Sequence, residues 1–176
     1  MIFKNTDLEG AKLILPERIL DERGFFSRTF CRSDFQAQGL ASDFIVQGVS
    51  FSPARGTLRG LHYQVHPHEE EKVVRCTRGR IFDVIVDLRK TSPTYKRWLG
   101  LELSADNGQA LYIPKGFAHG LLTLEDSCEV SYMLSKEYHE PSARGLRFDD
   151  PSLSIEWPFT PCVIAERDRN FPLMVV

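Results

Sequence analysis

The chain has 176 residues, of which 42% are hydrophobic and 26% charged, with a formal net charge of −2 at pH 7. That length suits one domain, 1–176, able to bury roughly 70% of the surface its unfolded form exposes, and the near-neutral balance excludes bulk attraction to a polyanion such as nucleic acid. The opening Met1-Ile2-Phe3-Lys4-Asn5-Thr6-Asp7 turns polar before a signal-peptide core could form, and no apolar run approaches the roughly 20 residues of a membrane span, so a cytoplasmic protein is expected.

In chain order, short β-rich runs recur between turn signals. They cover residues 25–30, 44–51, 72–76, 81–88, 98–103, 110–113 and 128–134, and the glycine-bounded segments 56–64 and 113–120 are strand-like as well. This spacing predicts a β-sandwich or barrel. Only residues 33–38 read as a helix, with Ser33 as N-cap and Gly39 just past the end. In Ile81-Phe82-Asp83-Val84-Ile85-Val86-Asp87, the set Phe82, Val84 and Val86 alternates with a face that carries Asp83 and Asp87. One dry face and one mixed, cavity-lining face follow. Cys31, Cys76, Cys128 and Cys162 have no paired spacing and are expected as free, mostly buried thiols.

Chemistry concentrates in two segments, Gly56-Thr57-Leu58-Arg59-Gly60-Leu61-His62-Tyr63-Gln64 and Ile113-Pro114-Lys115-Gly116-Phe117-Ala118-His119-Gly120. Histidine titrates near neutrality, so His62 and His119 beside Arg59 point to proton transfer on an anionic ligand. Taken singly, a histidine is more often a hydrogen-bonded structural residue. Gly108, Pro114, Gly116 and His119 fit G-x5-P-x-G-x2-H, and His66-Pro67-His68 followed by Gly79 is similar to the other signature of the cupin double-stranded β-helix. Lys72, however, stands where a metal cupin has its carboxylate ligand, and an ammonium group repels a divalent cation. Glu70 or Glu71 could take its place only if the loop bent; His66, His68 and their acidic neighbours are otherwise expected as a solvated loop.

Read together, Asp21-Glu22-Arg23-Gly24-Phe25-Phe26, Leu58 to Gln64, Lys72-Val73-Val74-Arg75, Phe82-Asp83-Val84, Ile113 to Gly120, Asp149-Asp150-Pro151 and Glu166-Arg167-Asp168 closely resemble the dTDP-4-dehydrorhamnose 3,5-epimerase family, nearly end to end. The resemblance implies an all-β, cupin-type jelly-roll barrel with short peripheral helices. It also implies an isomerase of deoxysugar biosynthesis that uses no metal or other cofactor, normally as a homodimer, on a nucleotide-linked 4-keto-6-deoxyhexose. In such a sugar C3 and C5 both lie α to the carbonyl, so a base, an acid and a stabiliser of the enolate oxygen suffice. By position, the resemblance makes His62 the base, Asp168 its partner, Tyr132 the acid on the other face and Lys72 the positive charge near the C4 oxygen. It assigns Arg59 and Arg23 to the diphosphate, with Arg23 reaching a partner chain's site, and it puts Gln47, His119, Tyr138 and Arg167 around the substrate.

Several positions depart from the family pattern. Gln47-Gly48-Val49 stands for Gln-Asp-Asn, Arg28 and Ala143 stand for glutamates, and Arg167 for a lysine. The first of these changes are expected in the nucleotide-sugar pocket, which leaves open a CDP-linked or other nucleotide sugar in place of the default dTDP-4-dehydro-6-deoxyglucose, and inversion at C3, C5 or both. Two other readings are a metal-dependent cupin oxygenase or isomerase using His66, His68 and His119, and a sugar-binding cupin without catalysis.

Overall fold

The structure, a computed structural model, describes residues 1–174. Fourteen short strands and two short α-helices are described: β1 (Ile2–Asn5), β2 (Lys12–Leu15), β3 (Ile19–Asp21), β4 (Gly24–Phe26), α1 (Arg32–Ala37), β5 (Val46–Ser52), β6 (Thr57–Gln64), β7 (Lys72–Arg78), β8 (Arg80–Asp87), β9 (Trp98–Ser104), β10 (Ala110–Ile113), β11 (Phe117–Thr123), β12 (Cys128–Leu134), β13 (Ala143–Gly145), β14 (Val163–Ile164) and α2 (Glu166–Arg169). One sheet runs β1-β2-β10-β7-β12-β5. The other runs β13-β6-β11-β8-β9, with β14 parallel to β6. A separate hairpin, β3-β4, pairs only with itself.

Period-2 alternation makes each strand a wall with two faces. Val74, Cys76, Leu111, Ile113 and Val130 from one sheet meet Ile81, Ile85, Leu103, Phe117 and Leu121 from the other in a common core. This is the jelly-roll arrangement that the resemblance implies. On β8 the expected alternation holds, but the expected cavity-lining face needs correction: it is as buried as the other, and neither Asp83 nor Asp87 lines a cavity. Val84, Val86 and partly buried Phe82 pack outward under Leu146, Leu153 and Trp157, whereas Asp83 and Asp87 are fully buried. Asp87 is spent on structure. Burial would raise its carboxyl, but hydrogen bonds from Arg89, Ser92 and Thr94 outweigh that and hold it at about 2.

Four further expectations need correction. The helix starts at Arg32 because extended Cys31, not Ser33, is its N-cap. The strand expected over 25–30 ends at Phe26, where the β3-β4 pairing ends. Of the cysteines only Cys76 and Cys128 are buried, while Cys31 is partly exposed and Cys162 exposed. His68 is not solvated: its ring stacks on His139 at 3.7 Å, and both accept or donate at Ser142 Oγ at 3.0 Å. Among the described residues no helix is long and apolar enough to cross a membrane.

Candidate active site

A cavity of about 960 Å³ opens between the two sheets, a size suited to a drug-sized or larger ligand. One wall is β6 and β11, which supply Arg59, His62 and His119. The facing wall is β7 and β12, which supply Lys72, Val74, Val130, Tyr132 and Leu134. The C-terminal segment closes the cavity with Arg167, Asp168 and Phe171.

Arg59 and His62 are three residues apart, and a regular strand would send them to opposite faces. The pairing of β6 with β11 shifts register between His119 and Leu121, so that His119 opposes His62 while Leu121 opposes Arg59. Such a bulge re-aims side chains, and here it brings both into one cavity. Gly60 makes it possible. Its φ is +120°, and a Cβ there would lie 2.6 Å from Gly120 Cα and 2.7 Å from the His119 carbonyl oxygen.

His62 Nε2 lies 2.8 Å from Asp168 Oδ1. An ionised carboxylate can only accept, so Nε2 carries the proton and the free lone pair is on Nδ1. Asp168 is nine-tenths buried or more, with its side chain 4% exposed. Burial alone would raise its carboxyl, but the bond from His62 and another from the Gly60 N–H, at 2.9 Å, hold it below the usual aspartate range. It therefore stays an acceptor through neutral pH, and the ring keeps one tautomer. Arg167 adds its guanidinium 3.4 Å from Asp168 Oδ1 and 3.3 Å from His62 Nε2. A second pair repeats the pattern: His119 Nε2 donates to Asp83 Oδ1 at 2.8 Å, and Asp83 is fully buried.

Lys72 is largely buried at the start of β7. Its ammonium pairs with Glu70 at 3.1 Å and donates to the His62 carbonyl at 3.4 Å. Glu70 in turn accepts from Gln64 at 2.8 Å. An ammonium has three N–H donors, so two fixed partners aim the remaining one. Glu70 was visible in the sequence only as a possible substitute ligand; its true partner is the lysine. Arg59 is braced against β5, donating to Ser52 Oγ and the Phe51 carbonyl at 3.0 and 2.9 Å.

Of the expected site residues, His62, Asp168, Lys72, Tyr132, Arg59, His119, Tyr138 and Arg167 all line this cavity. Arg23 and Gln47 do not. Arg23 projects from the β3-β4 hairpin, its side chain 82% exposed. Gln47 sits on the outward face of β5, together with Val49 and Phe51. The departures from the family pattern separate in the same way. Ala143 lines the cavity, but Arg28 lies outside it, 3.9 Å from Asp34, and Val49 faces outward. His66, His68 and His119 are not assembled into one site: His66 pairs with Glu69, His68 with His139 and His119 with Asp83. Among the described residues no group of three or more His, Cys, Asp or Glu side chains could hold a metal ion.

Residues 5–175 match a family model described as dTDP-4-dehydrorhamnose 3,5-epimerase. A relative of that description from Methanothermobacter thermautotrophicus is 46% identical over 172 residues, spanning 96% of this chain and 92% of its own. The crystal structure of dTDP-4-dehydrorhamnose 3,5-epimerase from Bacillus anthracis with TDP and pyrophosphate bound is 40% identical, with a TM-score of 0.95 and coverage of 98% of this chain and 99% of that one. A dTDP-6-deoxy-D-glucose 3,5-epimerase from Legionella pneumophila, in complex with dTDP-4-keto-L-rhamnose, is 36% identical with a TM-score of 0.92 and covers 98% of this chain and 92% of its own.

Proposed function

Because this chain belongs to the dTDP-4-dehydrorhamnose 3,5-epimerase family, we propose that it is an isomerase inverting C3 and C5 of dTDP-4-dehydro-6-deoxyglucose through an enolate, to give dTDP-4-dehydrorhamnose. The observation that carries this reading is the split of the titratable groups between facing walls. His62 comes from β6 and Tyr132 from β12, so a sugar ring between them meets a base on one face and an acid on the other.

In this reading, Nδ1 of His62 takes the α-proton, and the carbon–hydrogen electron pair moves into the enolate, placing negative charge on the C4 oxygen. Asp168 stabilises the imidazolium that forms. The free N–H of Lys72 bonds the oxyanion, an electrostatic contribution with no metal required. Tyr132 then gives its phenolic proton to the carbon from the opposite face, and solvent restores both groups. His119, held by Asp83, orients the sugar or supports the oxyanion. Arg59 holds the diphosphate, and Tyr138 and Arg167 flank the substrate.

Incubation with dTDP-4-keto-6-deoxyglucose in deuterated water is the direct test. Proton NMR should show the C3 and C5 signals disappear as product forms. Persistence of both signals would remove the proposed reaction on this sugar.

Arg23 and Gln47 fit the same reading through a second copy of the chain. Ile19, Leu20, Phe25, Phe26, Val49 and Phe51 are all exposed on the β3-β4 hairpin and the outer face of β5. Apolar surface of this kind marks an interaction site. A homodimer that covers it would carry Arg23 and Gln47 to the partner's cavity. Light scattering should then give about twice the chain mass of 20.1 kDa; a monomer at micromolar concentration would remove the shared site.

A further inference from the structure

Gly48 lies directly opposite Tyr132 in the β5-β12 pair. Facing residues of an antiparallel pair point to the same side of the sheet, so Gly48 shares the cavity side with Tyr132 and with Ser50, which lines the cavity. A Cβ at Gly48 would stand 2.7 Å from Tyr132 Cζ, 2.7 Å from its hydroxyl oxygen and 2.8 Å from Cε2. No carbon can sit that close to a ring. Gly48 has no positive φ that would call for glycine, so what it supplies is space. That space is filled by the phenolic end of one side chain, Tyr132.

We infer that Gly48 is a positioning residue for Tyr132, and that its missing side chain sets how far the phenolic hydroxyl stands from the sugar face it protonates. This rests on the reading of Tyr132 as the acid opposite His62. A methyl group at residue 48 pushes the hydroxyl off β5 by roughly an ångström. Displacement on that scale can cost about 100-fold in a positioned step. The proton at risk is the one delivered, because His62 is on the other wall, on β6.

The test uses Gly48→Ala and compares two rates on the same sample in deuterated water: loss of the α-proton signal and appearance of inverted product. Proton loss should stay within about threefold of wild type, while net inversion falls about 100-fold. The enolate is then reprotonated by solvent-exchanged His62 on its original face. Tyr132→Phe should show the same split, and Gly48→Ala combined with Tyr132→Phe should lose no more than Tyr132→Phe alone, since two changes acting through one group do not add. Inversion at the wild-type rate in Gly48→Ala would overturn the inference, as would equal loss of both rates or full additivity with Tyr132→Phe. A wild type that releases no α-proton overturns the reading of the site, and this inference with it, and is thereby distinguished from those failures. If Gly48→Ala does not fold, Tyr132→Ala in the same chain should restore folding by removing the ring. Failure to do so would show that the strand itself needs the glycine, which also overturns the inference.

Discussion

His62→Ala should remove proton abstraction while leaving nucleotide binding nearly unchanged. With the imidazole gone the wall keeps only His119, which Asp83 holds at 2.8 Å in its own place on β11, and exchange at C3 and C5 is expected to fall by at least about 10³-fold, within the range that a positioned base supplies. The fold should survive. Asp168 keeps the Gly60 N–H at 2.9 Å and the Arg167 guanidinium at 3.4 Å as partners, so removing the ring leaves no unpaired buried carboxylate. Affinity for TDP, measured by calorimetry, should stay within about twofold, because the diphosphate is assigned to Arg59 on the far side of the Gly60 bulge. Exchange at the wild-type rate in this variant would eliminate His62 as the base. Loss of TDP binding in equal measure would indicate a disordered β6.

What could be read from the sequence, and what could not, follows from the range of the forces involved. Short β-rich runs between turn signals marked β7, β8, β9, β10 and β12, because each of these strands carries its own apolar residues for the core. β1, β2, β13, β14 and α2 were not marked in this way. Each spans two to four residues, and β13 and β14 exist because β6 offers them hydrogen bonds. Asp168 is the sharpest case. It is 106 residues from His62, and nothing local distinguishes it from any other acidic residue near a chain terminus; only resemblance to a family singled it out. Lys72 was conspicuous as a misplaced charge, but its partner Glu70 could not be told from Glu69 or Glu71 until the loop had a shape. The departures at Gly48 and Val49 were read as one change in one pocket. Strand alternation puts them on opposite faces of β5, so Gly48 bears on the position of Tyr132 and Val49 on the outer surface.

Lys72→Met should lower kcat by about 10²- to 10³-fold, as expected when one preorganised donor to a developing oxyanion is removed, with KM changed by less than about threefold. A second effect accompanies it. Glu70 is 6% exposed at the side chain and would lose its cation, which should cost about 2 kcal/mol of stability, below the range for a fully buried pair because the cavity admits water. For a chain of this size that is a fall in Tm of roughly 4–8 °C. Glu70→Gln added to Lys72→Met should then recover most of the lost Tm without recovering kcat, because the amide needs no cation and the oxyanion still lacks its donor. This separation decides between two roles for the lysine. If it acts on the enolate, stability and rate part company in the double variant. If Lys72 serves only to neutralise Glu70, rate returns with stability, and the stabilisation of the C4 oxygen has to be sought at His119 on the opposite wall.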